Sequence, residues 1–197
     1  MQTVIKNVPI FPLSVVLCPQ GLVSLRVFEA RYLDMVSQCL KLDEPFGVCM
    51  IVEGQEVGKA ARCYQTGTLA KIINWDQTAD GMLLIEAQGV QRFRMIDSQI
   101  ASNQLITATV EVLDEVKKEP VPRVFLDLKN RLYQAMKNQP SSLSVFEQNC
   151  NNAAWLAYRL IELCALDNVL KQRLLEIDDA IDRLHTIKAL LADSWSL

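Results

Sequence analysis

The sequence predicts an α+β chain, and three observations carry that prediction. Apolar and polar residues alternate through much of the first half, the segment Glu119-Pro120-Val121-Pro122 breaks the pattern, and apolar residues then recur at helical spacing. With 197 residues and an apolar fraction of 50%, the chain can bury a core as one large domain or two closely packed subdomains. The expected division is a β-rich part over 1–119 and a helical part over 120–197, because two prolines stiffen the junction and disfavour helix before each ring.

The strands follow in order. Val8-Pro9-Ile10-Phe11-Pro12-Leu13 is a short apolar run interrupted by prolines, Pro19-Gln20-Gly21 supplies a turn, and Leu25-Arg26-Val27 is a second extended run. A helix is expected from about Glu29 to Leu40, with Phe28, Tyr32, Met35, Val36 and Cys39 on its apolar stripe. A long loop, rich in polar and small residues, is expected from Glu53 to Gln65. Asp80-Gly81, between Ile72-Ile73 and Leu83-Leu84-Ile85, reads as a hairpin tip. Leu83, Ile85, Ala87, Phe93 and Met95 keep one parity across Gly89, which predicts a single apolar face with Arg92 and Arg94 on the other. Ile106, Ala108, Val110 and Val112 mark one face of the last strand.

Four helices are expected in the second part. Val124, Phe125, Leu128, Leu132, Ala135 and Met136 define the first, ended by Pro140, and Leu156, Ala157, Leu160, Ile161 and Cys164 define the second. Asp167 and Asp179 are the expected N-caps of two more. The polar runs Ser141 to Ser144 and Asn149 to Asn152 read as helix-start and loop chemistry.

The opening block from Val8 through Phe28-Glu29-Ala30-Arg31-Tyr32-Leu33 resembles the start of the N-terminal, substrate-recognition domain of Lon proteases. The resemblance continues in order through Phe46–Val52, Thr66-Gly67-Thr68-Leu69-Ala70-Lys71-Ile72, Gly89-Val90-Gln91-Arg92-Phe93-Arg94, Trp155–Leu160 and Lys171–Ile177. It implies a PUA-like β pseudobarrel with one inserted helix, followed by a C-terminal α-helical bundle. It also implies a recognition module standing alone, since nothing here resembles the ATPase or Ser-Lys peptidase regions of Lon.

Chemistry-bearing motifs are sparse. Gly54-Gln55-Glu56-Val57-Gly58-Lys59-Ala60 fails as a phosphate-binding loop, because its glycines are one residue too close and Ala60 lacks the hydroxyl that holds magnesium. His185, the only histidine, has no cluster of ligands or partners at useful spacing and reads as structural. The six cysteines are scattered without a C-x-x-C pair; Cys49 and Cys164 read as core, while Cys63 is the better candidate for a reactive thiol. No cofactor or metal is expected, and the expected activity is non-enzymatic.

The net charge of −3 and the absence of a basic stripe argue against nucleic acid, since Lys117-Lys118 is bracketed by Glu115 and Glu119. No apolar run approaches the roughly 18 residues that span a bilayer, so no membrane is expected and a cytoplasmic location follows. The expected partners are unfolded polypeptide segments or a protein, with Phe28, Arg31, Tyr32, Trp75 and Arg92 as candidate binding residues. Each has a structural alternative. Arg31 with Glu29 can be an ion pair at a helix start, and Trp75 can pack rather than bind. A small-molecule or RNA module is the second reading, drawn from other PUA-like folds, and a hydrolase the third.

Overall fold

The structure, a computed structural model, describes residues 3–79, 82–114, 119–138 and 140–191. The Asp80-Gly81 tip and the Glu115 to Lys118 stretch lie outside the described residues. The chain divides into two compact units, 1–114 and 115–197. No described helix is long and apolar enough to cross a membrane.

Among the described residues the first unit holds seven strands: β1 (Val4–Leu13), β2 (Leu22–Val27), β3 (Phe46–Glu53), β4 (Arg62–Cys63), β5 (Thr66–Gln77), β6 (Leu83–Ile100) and β7 (Ile106–Val112). Their order is β1-β7-β6-β5-β3-β4, and a parallel pairing of β1 with β3 returns the path to its start. All other pairings are antiparallel. The prolines of β1 fit this layout. Pro9 is paired only with β7 and Pro12 only with β3, so each missing N–H falls where the strand has one neighbour. The predicted turn forms, with Gly21 N donating to Cys18 O at 3.0 Å and Gln20 at φ 62, and Gly89 fits so closely behind it that a Cβ would lie 2.2 Å from Cys18 O.

Helix α1 (Ala30–Leu42) lies between β2 and β3 in sequence, and buries Tyr32, Met35, Val36 and Cys39 as the stripe predicts. Phe28, assigned to that stripe, is instead exposed. The stripe packs with Leu25, Val27, Ile85, Ala87, Phe46, Val48 and Phe11 in one core cluster. A second cluster contains Ile10, Cys49, Leu69, Phe93, Ile106, Ala108 and Val110. Ile10 and Phe11, or Leu69 and Ala70, alternate between the two clusters, as neighbouring strand positions must.

The β6 parity expectation fails at one residue. Leu69 pairs with Gln91 but Ala70 pairs with Gly89, so Val90 is an inserted bulge that flips every following side chain. Phe93 therefore joins the second cluster rather than that of Ile85 and Ala87, and Arg92, opposite Thr68, is turned inward and fully buried. Only Arg94 stays outside.

In the second unit the described residues form a 3-10 turn (Arg123–Phe125) and five helices: α2 (Leu126–Met136), α3 (Pro140–Asn149), α4 (Ala153–Leu163), α5 (Asn168–Glu176) and α6 (Ala180–Leu190). Asp167 caps α5 through Leu170 N at 2.8 Å, and Asp179 caps α6 through Ile181 N and Asp182 N, as predicted. Helix α3 is the unexpected element. Pro140 opens it, as a proline does at a first helical position, besides following the end of α2. Its weak apolar periodicity, with Phe146 as the buried anchor, explains why spacing did not reveal it.

Candidate functional site

Among the described residues strand β2 has one strand partner, as β4 does. Strand β2 pairs with β6 alone, from Leu22↔Gln88 to Val27↔Leu83, so its second edge has no strand partner. Ser24, Leu25 and Arg26 line two grooves at once. One, of about 260 Å³, also contains Phe28, Phe11, Tyr32, Glu56 and Val57. The other, of about 460 Å³, contains Asn74, Trp75, Asp76, Leu84 and Glu86. Phe28 is 55% and Trp75 57% exposed, so each groove carries an accessible aromatic side chain.

The wall of the Phe28 groove is tied down by charge. Arg31, buried at the start of α1, donates to Gln104 O at 2.7 Å, pairs with Glu29 at 3.1 Å and lies over the Tyr32 ring at 4.5 Å. Glu29 then accepts from Gly58 N at 3.2 Å, and the Gln104 side chain accepts from Ala60 N at 3.3 Å. Glu56 accepts from both Ser14 N and Ser14 Oγ. These contacts hold the long loop between β3 and β5 against the sheet, and Tyr32 stacks on Phe11 at 4.2 Å beneath it. Burial pushes the Tyr32 hydroxyl up to about 12, against the opposing effect of Arg31, so it stays protonated.

Nucleophilic chemistry finds little support in this geometry. Burial pushes the Cys63 thiol up to about 11, which makes it a poorer nucleophile than the loop position suggested, and its Sγ contacts Ala61 O at 3.8 Å. Cys49 and Cys164 are buried, as expected. His185 sits exposed on α6 with its ring edge-on to Phe125 at 4.7 Å. Among the described residues no group of three or more His, Cys, Asp or Glu is placed to hold a metal.

A family model for the ATP-dependent protease La (LON) substrate-binding domain matches residues 7–193. The chain belongs to the LON substrate-binding domain family. A crystal structure of a Lon N-terminal domain protein from Xanthomonas campestris superimposes with a TM-score of 0.79 at 31% identity, covering 94% of this chain and 98% of that one. The N-terminal domain of a Mycobacterium avium complex Lon protease shares the fold, with a TM-score of 0.66 at 20% identity over 96% of this chain and all of that one. The Lon protease of Dictyoglomus thermophilum is 27% identical over 94% of this chain, and a LON peptidase N-terminal domain and RING finger protein of Schizosaccharomyces pombe is 24% identical over 95%. The chain spans about a quarter of the first of these and 46% of the second.

Within this LON substrate-binding fold, the five candidate residues separate by exposure. Phe28 and Trp75 stand on the surface beside β2, while Arg31, Tyr32 and Arg92 are buried. Sequence reasoning reached Arg26, in the charged cluster around Phe28, but missed Ser24, which with Arg26 lines both grooves. Their polar-outward alternation with Leu25 and Val27 was visible; the one-sided pairing of their strand was not.

Proposed function

We propose that this member of the LON substrate-binding family is a non-catalytic, cytoplasmic recognition module that grips extended, unfolded polypeptide and serves protein quality control. In this reading the first unit is a PUA-like pseudobarrel and the second a helical bundle. The observation that carries it is β2, an edge strand flanked by two grooves whose exposed aromatics, Phe28 and Trp75, stand on either side of Ser24–Arg26. An unfolded segment offers the two things this surface lacks, backbone groups for an open edge and apolar side chains for the grooves. The raised Cys63 thiol, and an exposed His185 whose ring meets Phe125 edge-on, support the non-catalytic part of the reading.

Fluorescence anisotropy tests it with a labelled, permanently unfolded polypeptide, its folded form and a single-stranded RNA. Saturable binding to the unfolded chain alone is expected. Combined Phe28→Ala and Trp75→Ala should weaken it by roughly 2 kcal/mol or more, as loss of two aromatic anchors does. Their exposure keeps the stability change within about 0.5 kcal/mol. RNA binding instead, or no binding to the unfolded chain, sinks the reading.

A further inference from the structure

A second, separate opening in the sheet lies where β5 gives way to β4. Strand β5 stays against β6 as far as Thr66↔Arg94, and Met95 N still donates to Gln65 O at 2.8 Å. Beyond that point the two sides diverge. Strand β4 follows β3, pairing Cys63 with Ile51 and Arg62 with Glu53, whereas β6 follows β7 from Asp97↔Thr109 to Ile100↔Ile106. The register shift between Met95 and Asp97 leaves Ile96 as a bulge, which bends β6 away at this point.

Between the diverging strands is a slot of about 440 Å³. Ala60 to Cys63 and Gln65 line one wall, and Met95 to Ser98 with Ile100 line the other. Ile10 and Ile106, members of the second core cluster, also line it, so the slot reaches the interior of the sheet unit. Ile96 and Ile100 are each 60% exposed. Neither wall has a strand partner on its slot side among the described residues.

We propose that this slot takes one extended, uncharged aliphatic segment of a bound polypeptide as an added strand, at a second site distinct from the Phe28 and Trp75 grooves. Two strand edges facing one gap select a backbone with donors and acceptors along both sides, and the apolar floor selects an aliphatic side chain. Arg62, the one basic residue among those lining the slot, is already paired with Glu53 at 3.2 Å, and Asp97 on the other wall accepts from Ser98 N at 2.9 Å, so the slot offers no unpaired basic group to draw an acidic occupant. The slot's volume lies within the usual range of roughly 300–1,000 Å³ for sites that enclose a ligand. Two sites on one unit would let a single unfolded chain engage at separate points and so raise weak affinities through effective concentration.

The proposal rests on polypeptide recognition as the function, and its test separates the two. Hydrogen exchange of the whole chain is followed with and without a carboxymethylated, permanently unfolded polypeptide, alongside anisotropy of wild type and an Ile96→Lys, Ile100→Lys double variant. Lysine at an exposed edge position blocks strand addition without disturbing the core. Binding should slow exchange at residues 96–100 and 61–65, and the double variant should lose affinity roughly tenfold, the scale of one buried aliphatic anchor. An Ile100→Leu variant should keep wild-type affinity. Saturable binding that protects only β2 and its grooves, or that the double variant leaves unchanged, overturns the slot and leaves the broader reading standing. Absence of saturable binding by the wild type overturns both.

Discussion

Three helices of the helical unit close their first turns with side chains, whereas the sheet unit leaves strand edges open. In the former, Asn152, Asp167 and Asp179 accept from the first free N–H groups of α4, α5 and α6. Arg183, wholly buried, donates to Leu174 O at 3.1 Å and Ile177 O at 2.5 Å beyond the last turn of α5, and lies over the Tyr158 ring at 4.3 Å. In the latter, β2 has one neighbour, and β4 and the end of β6 part company. A folded chain normally protects such edges from adding strands of other chains. In the proposed reading, recognition falls where strand pairing is left incomplete.

That contrast breaks most readily at Arg183. Arg183→Ala removes a fully buried side chain, orphans two carbonyls and leaves a cavity, so it should destabilise the helical unit by about 4 kcal/mol. Urea unfolding followed by far-ultraviolet circular dichroism reads this directly. If the sheet unit holds the binding surface, hydrogen exchange below the transition should still show polypeptide protecting it. A variant equally unstable but unable to protect β2 would move recognition into the helices.

The reciprocal change sharpens the comparison. At Gly67, opposite Phe93 in the register of β5 with β6, an added Cβ would lie 2.4 Å from Val48 O and 2.6 Å from Cys49 Sγ. Gly67→Ala should therefore cost the sheet unit about 3 kcal/mol by overpacking. It should weaken polypeptide binding only in proportion to the fraction unfolded, which denaturation and anisotropy at several temperatures can separate.

Legibility differed between the same two regions for physical reasons. Helix caps are local, so Asp167 and Asp179 announced α5 and α6 from sequence, and the alternation of Ile106 to Val112 announced β7. The two bulges of β6 are not local: Gly89 signals a bend beside Val90 but not that the face flips there, and nothing in the sequence marks Ile96. Arg92 was consequently placed on the wrong face. Trp75 was legible as a candidate because a large aromatic between Asn74 and Asp76 is unusual, and Phe28 because Arg26, Glu29 and Arg31 surround it, but the β2 edge and the slot depend on which strands fail to meet. Only the three-dimensional register contains that information.

The smallest expected effect of a single group distinguishes the units by pH. In the sheet unit, burial pushes the thiols of Cys39 and Cys63 up to about 11, and that of Cys49 well up, from an ordinary value of 9.0. Burial also raises Cys164 in the helical unit, offset by the nearby Lys171 charge. A thiol whose folded value is raised stabilises the fold fully below the unfolded value, and that contribution is lost as pH climbs toward the folded one. The sheet unit should accordingly lose stability between about pH 9 and pH 11, roughly 1 kcal/mol per thiol by pH 10, with the helical unit losing less. Unfolding at pH 8 and pH 10, with hydrogen exchange assigning the loss to each unit, checks this. Cys39→Ala and Cys63→Ser should each flatten the sheet unit's response, and an unchanged slope in either variant would mean that its thiol is not held protonated by burial.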